Sequence, residues 1–272
     1  MIDNLKADYP VGVICKTLGV SRSSYYTVHN AKQGDKALLD VIDQVLLKWP
    51  YYGYRRVTHE LKRKGYQVGE TRIRRLLRQI EHSCSMGRAP ISTTNSQHEH
   101  PRYPNLIKRL KIDRLNQVWV ADITYIRFRR KFIYLAVILD AFSRGVRGWN
   151  LGRNMNKDLT KDALALALAA YPAPEIHHSD QGGQYATPDY TTMMPGTILS
   201  MSAKGRPTEN GIVERFIRTF KEERIDYSEY ESFKDAVEQI KYWLECEYMT
   251  ERIHSSLAYM TPLEFELVNG IL

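Results

Sequence analysis

The chain has 272 residues, 43% hydrophobic and 26% charged, which suffices to bury a sizeable core and, at roughly 100 to 200 residues per domain, predicts two or three domains. No apolar run approaches the roughly 20 residues needed to span a bilayer, and Met1 to Pro10 mixes Asp3, Lys6 and Asp8 with no apolar stretch, so neither a membrane protein nor a secreted one is expected and the default compartment is the cytoplasm. The formal charge of +8 is concentrated: residues 51–115 hold 15 Lys and Arg against 5 Asp and Glu, a net +10 that leaves −2 for everything else, the distribution of a chain that neutralises a polyanion such as nucleic acid.

Residues 11–28, VGVICKTLGVSRSSYYTV, predict two short helices about a turn at Gly19, with Ser21 capping the second. Ile14, Cys15, Leu18, Val20, Tyr25 and Val28 would form a small core, leaving Arg22, Ser23 and Ser24 outside, as a helix-turn-helix requires. An amphipathic helix is expected at 36–49 and another at 55–64, where Val57 and Leu61 stand among Arg55, Arg56, Lys62, Arg63 and Lys64 before Gly65 ends it. A third, Thr71 to Ile80 with Thr71 as cap, would bury Ile73, Leu76, Leu77 and Ile80 and expose Arg72, Arg74, Arg75 and Arg78. Arg55, Arg56, Arg72 and Arg75 are therefore candidate DNA-binding residues.

From about 82 to 105 the chain is polar and Pro-containing and predicts a linker. His98, Glu99 and His100 in it could bind a metal, although a solvated tract is the better reading. Cys15, Cys84 and Cys246 are odd in number and lack CxxC spacing, so they are expected to be ordinary thiols.

Beyond Gln117, the runs QVWVADITYIRF, KFIYLAVILDAFS and GVRGWNLG predict three consecutive strands. A helix at 157–170 and a short strand, EIHHSD, follow, and this alternation predicts an α/β fold on a mixed sheet. The last third predicts helices from Thr208 to about Glu223, from Phe233 to about Tyr248, and near Pro262 to Leu267.

Three carboxylates stand out. Asp122 interrupts an apolar strand, where a lone buried charge is costly and calls for a positive neighbour. Asp180 ends the next strand just before Gln181-Gly182-Gly183, and Glu214 sits on a helix on which Asn210, Glu214, Arg218 and Lys221 recur every three or four residues. Two strand carboxylates and one helix carboxylate can hold two Mg²⁺ or Mn²⁺ ions for phosphodiester chemistry. Asp140 also ends an apolar strand, but the turn that follows favours a capping role.

WVADITYI, HHSDQGGQY and KGRPTENGIVERFIRTFKEE, within residues 117–223, resemble the three catalytic blocks of insertion-sequence transposases of the retroviral-integrase superfamily. YYGYRRVTHELKRKG and YMTERIHSSLAYMTPLEFE extend the likeness over nearly the whole chain, specifically to the second reading-frame product of elements with overlapping frames. The resemblance implies a ribonuclease H-like core in which Asp122, Asp180 and Glu214 carry the metals and Lys221 helps hold the transposon end, with Arg218 and Asn210 beside it. It further implies DNA cleavage and strand transfer on double-stranded transposon ends and target DNA, association with the nucleoid, a homo-oligomer on DNA, and an upstream reading-frame product as partner or fusion. An inactive DNA-binding regulator of the element is the alternative. Between Asp180 and Glu214 lie 33 residues, a couple fewer than in many relatives, and Met249 and Ile253 stand where relatives carry Asn and Pro, departures that bear on local DNA contacts. The expected domains are a helical DNA-binding region (1–81), a linker (82–113), the catalytic core (114–226) and a C-terminal helical extension (227–272).

Overall fold

In the computed structural model, which describes residues 2–83, 101–203 and 206–270, the helical and the strand-rich parts of the sequence separate into two units, Met1–Met86 and Gly87–Leu272. The first contains α1 (Ile2–Leu5), α2 (Val11–Thr17), α3 (Arg22–Lys48), α4 (Tyr54–Arg63) and α5 (Glu70–Gln79). Gly19 turns the chain after α2 at φ +64°, a conformation that costs glycine little. Ser21 then caps α3, its Oγ accepting the Ser24 amide at 3.0 Å.

Three expectations change here. The second short helix does not stop near residue 28 but runs on into the helix expected at 36–49, giving one helix of 27 residues. The polar stretch carries no apolar period of its own but lies between two helical patterns, and the continuous helix overrides the local reading. Val20 and Ile80, expected inside, are exposed, whereas Ile14, Cys15, Val57, Leu61, Ile73, Leu76 and Leu77 are buried. The cap of α5 is Gly69 and not Thr71, and Val28 lies outside the described side chains.

The second unit is built on β1 (Val118–Phe128), β2 (Lys131–Asp140), β3 (Val146–Gly152), β4 (Ile176–Ser179) and β5 (Ile198–Met201), in the order β3-β2-β1-β4-β5. β1 pairs antiparallel with β2, β2 antiparallel with β3, and β4 parallel with both β1 and β5. This is the mixed ribonuclease H-like sheet that was expected, with β5 added. Alternation along the strands divides the core in two. Trp119, Ala121, Ala136 and Ile138 pack toward α6 (Lys157–Ala170), and α7 (Pro188–Thr191) contributes Tyr190 to that layer. Val118, Val120, Ile126, Leu135, Val137 and Leu139 meet the opposite layer, formed by α8 (Gly211–Glu223), α9 (Phe233–Tyr242) and the wider π-type turns Trp243–Glu251 that continue it. α6 lies directly on β3 at Gly148, where a Cβ would stand 2.1 Å from the Ala163 carbonyl oxygen.

The segment expected as a C-terminal extension is part of this core, since Ala236, Ile240, Trp243, Leu244 and Tyr248 are buried in it. α10 (Pro262–Val268) starts in a reciprocal cap between Thr261 and Glu264. It sends Glu266 to Arg147, whose Nη1 donates at 2.7 Å and whose Nη2 stands 3.4 Å from Asp140. Asp140 also accepts the amides of Asn116, Phe142 and Ser143, so it caps the turn after β2 as expected. No helix among the described residues is long and apolar enough to cross a membrane.

Candidate active site

The site begins where strand pairing ends. β4 is hydrogen-bonded to β1 over four residues, the last pair being Ala121 and Ser179. Asp122 and Asp180 are the residues that directly follow this last pair, Asp122 still within β1 and Asp180 just beyond the end of β4. β1 continues beside β2, with Asp122 opposite Val137, while the chain after Asp180 leaves the sheet. Asp180 Oδ1 accepts the Gly182 amide at 2.9 Å, and a Cβ on Gly182 would come within 2.9 Å of that oxygen. Glycine at 182 keeps the turn tight enough to hold the carboxylate in place.

Asp122 Oδ1 accepts the Ile123 amide at 2.8 Å. Burial, then the charge of Asp180, then that of Glu214 push the Asp122 carboxyl well above the usual carboxylate range, against the Ile123 amide and the Lys221 ammonium. Glu214, half-buried in the first turn of α8, is raised by burial and eased by Arg218. Lys221, two turns further on, is lowered by desolvation and supported by Asp122 and Asp226, and its Nζ lies 4.2 Å from the centre of the Tyr125 ring. Arg218 is exposed on the same helix. Among the described residues no three His, Cys, Asp or Glu side chains converge tightly enough to cage one ion. His98, Glu99 and His100 lie outside the described residues.

Asn210 does not share the polar face of α8. It precedes the helix in a 3₁₀ turn, is 3% exposed, and donates Nδ2 to the Ala121 carbonyl at 3.2 Å. A 3₁₀ turn advances three residues per turn and not 3.6, so counting the helical face back through it misplaces the side chain. Asn210 is thus turned into the fold, where it ties the start of α8 to the strand next to Asp122.

The basic residues of the first unit are divided. Arg55 and Arg56 lie over the rings of Tyr54 and Tyr52 at 5.1 and 5.2 Å. Arg72 and Arg75 converge on Asp35 of α3 at 2.9 and 2.6 Å, so both are engaged within the unit while keeping an exposed side. Met249 and Ile253, whose departures were expected to touch DNA, are buried: Met249 Sδ accepts the Val146 amide and Ile253 is fully enclosed.

Several supporting groups lacked a readable pattern. Glu209 accepts the Ala203 amide and Asn105 Nδ2, both at 2.9 Å, and faces Lys108 and Arg206; the hydrogen bonds hold it down to about 2. It pins the segment before α8 to the segment that enters the sheet. His177 bonds Tyr190 at 2.9 Å and His178 bonds Ser200 at 2.8 Å, and burial pushes them down to about 3 and about 4. The pair HHS before Asp180 was visible in the sequence, but its partners on α7 and β5 were not.

Comparison with known proteins adds three family matches: an integrase core domain at residues 113–207, a second integrase core model at 196–262, and an HTH-like domain at 33–84. The 31 kDa protein of insertion element IS600 from Shigella sonnei, itself uncharacterized, is 35% identical across 93% of this chain and 97% of its own length. The transposase of insertion sequence element IS904 from Lactococcus lactis is 34% identical, across 80% and 88%. The transposase InsF of insertion sequence IS3A from Escherichia coli is 31% identical, across 98% of both chains.

Proposed function

This chain belongs to the family of insertion-sequence transposases with an integrase core, and from that premise we propose that it cleaves DNA at the ends of its element and joins the freed 3′-hydroxyl to target DNA through Asp122, Asp180 and Glu214. The observation that carries the reading is the placement of Asp122 and Asp180, each directly after the last paired residue of the parallel strands β1 and β4, with the charges of Asp180 and Glu214 acting on Asp122.

The donor set suits a hard divalent cation, because it offers carboxylate oxygens only and because the charges of Asp180 and Glu214 add to burial in raising Asp122. Two Mg²⁺ or Mn²⁺ ions held by Asp122, Asp180 and Glu214 would activate the attacking hydroxyl and stabilise the leaving oxygen. Everything else falls to the chain. Asp122 on β1 and Asp180 at the exit of β4 define the fixed half of the site. Glu214 is carried on α8, whose start is tied to β1 by Asn210. Lys221 and Arg218, on the same helix, provide positive charge for the phosphates of the transposon end. The basic helices of the first unit, Arg55, Arg56, Arg72 and Arg75 among them, provide further contacts to the duplex. Holding two ends and a target requires more than one copy on DNA, and an upstream reading-frame product or fusion supplies end recognition.

The test is cleavage and joining of labelled element-end DNA with Mg²⁺ or Mn²⁺, comparing wild type with Asp122→Asn, Asp180→Asn and Glu214→Gln. Loss of chemistry with DNA binding retained is expected. A wild-type chain that binds DNA but neither nicks nor joins it, even with the upstream product supplied, makes the chain a regulator of its element.

A further inference from the structure

β1 outruns its cover on one side. Pairing with β4 ends at Ala121, whereas pairing with β2 continues to Phe128 and Lys131; β2 itself leaves β3 at Tyr134, opposite Tyr125, so beyond that pair the two strands form a ribbon. The ribbon ends in Arg127, Phe128, Arg129, Arg130, Lys131 and Phe132. All four cations are exposed. Arg129 bonds the Glu231 carbonyl through Nη2, but Arg127, Arg130 and Lys131 form no ion pair or side-chain hydrogen bond with the described residues.

The turn itself is built against local preference. Arg129 has φ +53°, a region where Gly, Asn or Asp is favoured in a two-residue hairpin turn. The tip therefore carries charge where a stabler turn residue would fit. Beside it, Phe132 is 50% exposed and stands edge-on to Tyr125 at 5.3 Å. The Tyr125 ring is in turn covered by Lys221, which feels the charge of Asp122. Cations and rings thus run without a break from the acids to the tip. At about 3.3 Å per residue, Arg127 is about 17 Å along the strand from Asp122. That is roughly five nucleotide steps of a DNA strand at about 3.4 Å each.

We propose that the β1–β2 hairpin is an arm that holds the DNA strand leading into the acidic site, with Arg127, Arg130 and Lys131 on its phosphates and Phe132 against an unstacked base. The proposal rests on the transposase reading for its ligand. Phosphates explain unpartnered cations around an exposed ring, and an unpaired base explains the ring, since aromatic stacking is indifferent to sequence.

The test uses the full chain without added metal, on a blunt duplex and on a duplex with a short unpaired 3′ overhang. The variants are R127Q/R130Q/K131Q and Phe132→Ala, with Asp122→Asn as reference. Because the three cations have no partner in the described chain, the triple variant should keep its Tm. Its plot of log affinity against log salt should flatten by about 2 to 3, near one for each lost phosphate contact. Phe132→Ala should lose about tenfold on the overhang and little on the blunt duplex. Unchanged salt dependence and unchanged overhang preference overturn the arm, as does loss of self-association with DNA binding intact, which would make the hairpin a contact between copies. If wild type cuts DNA once Mg²⁺ is added to a parallel sample while the variants bind normally, the arm fails and the transposase reading stands. If wild type binds without cutting while the variants flatten the salt plot, the arm stands and the chemistry fails.

Discussion

Arg252 grips Glu223 with two parallel hydrogen bonds, Nε to Oε2 and Nη2 to Oε1, both at 2.6 Å and both side chains nearly enclosed. The fork joins the last turn of α8 to the chain that follows the π-type turns. Removing one member of a buried pair strands the other charge, at about 3–5 kcal/mol, whereas removing both costs far less. Arg252→Met should therefore lower unfolding free energy by about that amount in urea titrations, and R252M/E223L should recover most of it. Equal losses in the single and double variants would show that the fork contributes nothing of its own.

Asp122 is raised by burial first and by Asp180 second. An acid with a raised folded pKa binds its proton more tightly in the folded chain, so it weakens the fold as pH climbs from the ordinary range near 4 through the folded value. At neutral pH without metal, Asp122→Asn should raise Tm by about 2–4 °C while abolishing cleavage. Mg²⁺ should stabilise wild type more than this variant, and thermal scans with and without the ion read both effects.

The two adjacent histidines give the opposite sign. His177 and His178 are pushed down to about 3 and about 4, chiefly by burial, from an ordinary value near 6.5. Below about pH 6.5 the unfolded chain takes up protons that the folded chain refuses. The stability they support is complete above that pH and drains away toward pH 4, by up to about 1.4 kcal/mol per unit for each ring. His178→Gln should flatten the fall of stability between pH 6.5 and 4, measured by denaturant titration across that window; an unchanged slope would exclude His178 as its source.

Asn210→Ala should cost about 1–2 kcal/mol, because the Ala121 carbonyl loses its donor inside the protein. Asn210→Asp should cost more, since it places a second carboxylate against a carbonyl oxygen next to Asp122. Both should reduce cleavage more than DNA binding, which a comparison of turnover with a binding isotherm resolves.

The long strands were legible because Val, Ile, Tyr and Phe fill β1 and β2 at lengths no turn interrupts. β5 was not: Ile198–Met201 is four residues long, too short for any period, and becomes a strand by pairing with β4. α3 was hidden by a polar middle. Asn210 was read on the wrong face because the turn before α8 has a different pitch. The adjacency of Asp122 and Asp180 comes from parallel pairing between segments more than fifty residues apart, and no local pattern encodes such a register.

Glu266, which follows all three acids in the sequence, meets the buried Arg147 guanidinium beside Asp140, and the aromatic layer from Trp243 to Tyr248 seals the face of β1 and β2. A ribosome delivers these residues after the three acids. Until they arrive, Arg147 lacks that carboxylate and one side of the sheet is bare, so a nascent or prematurely terminated chain has the acids of the site without the scaffold that aligns them. Any activity of the site should then depend on chain length as a step and not as a slope, appearing only once Glu266 has been added.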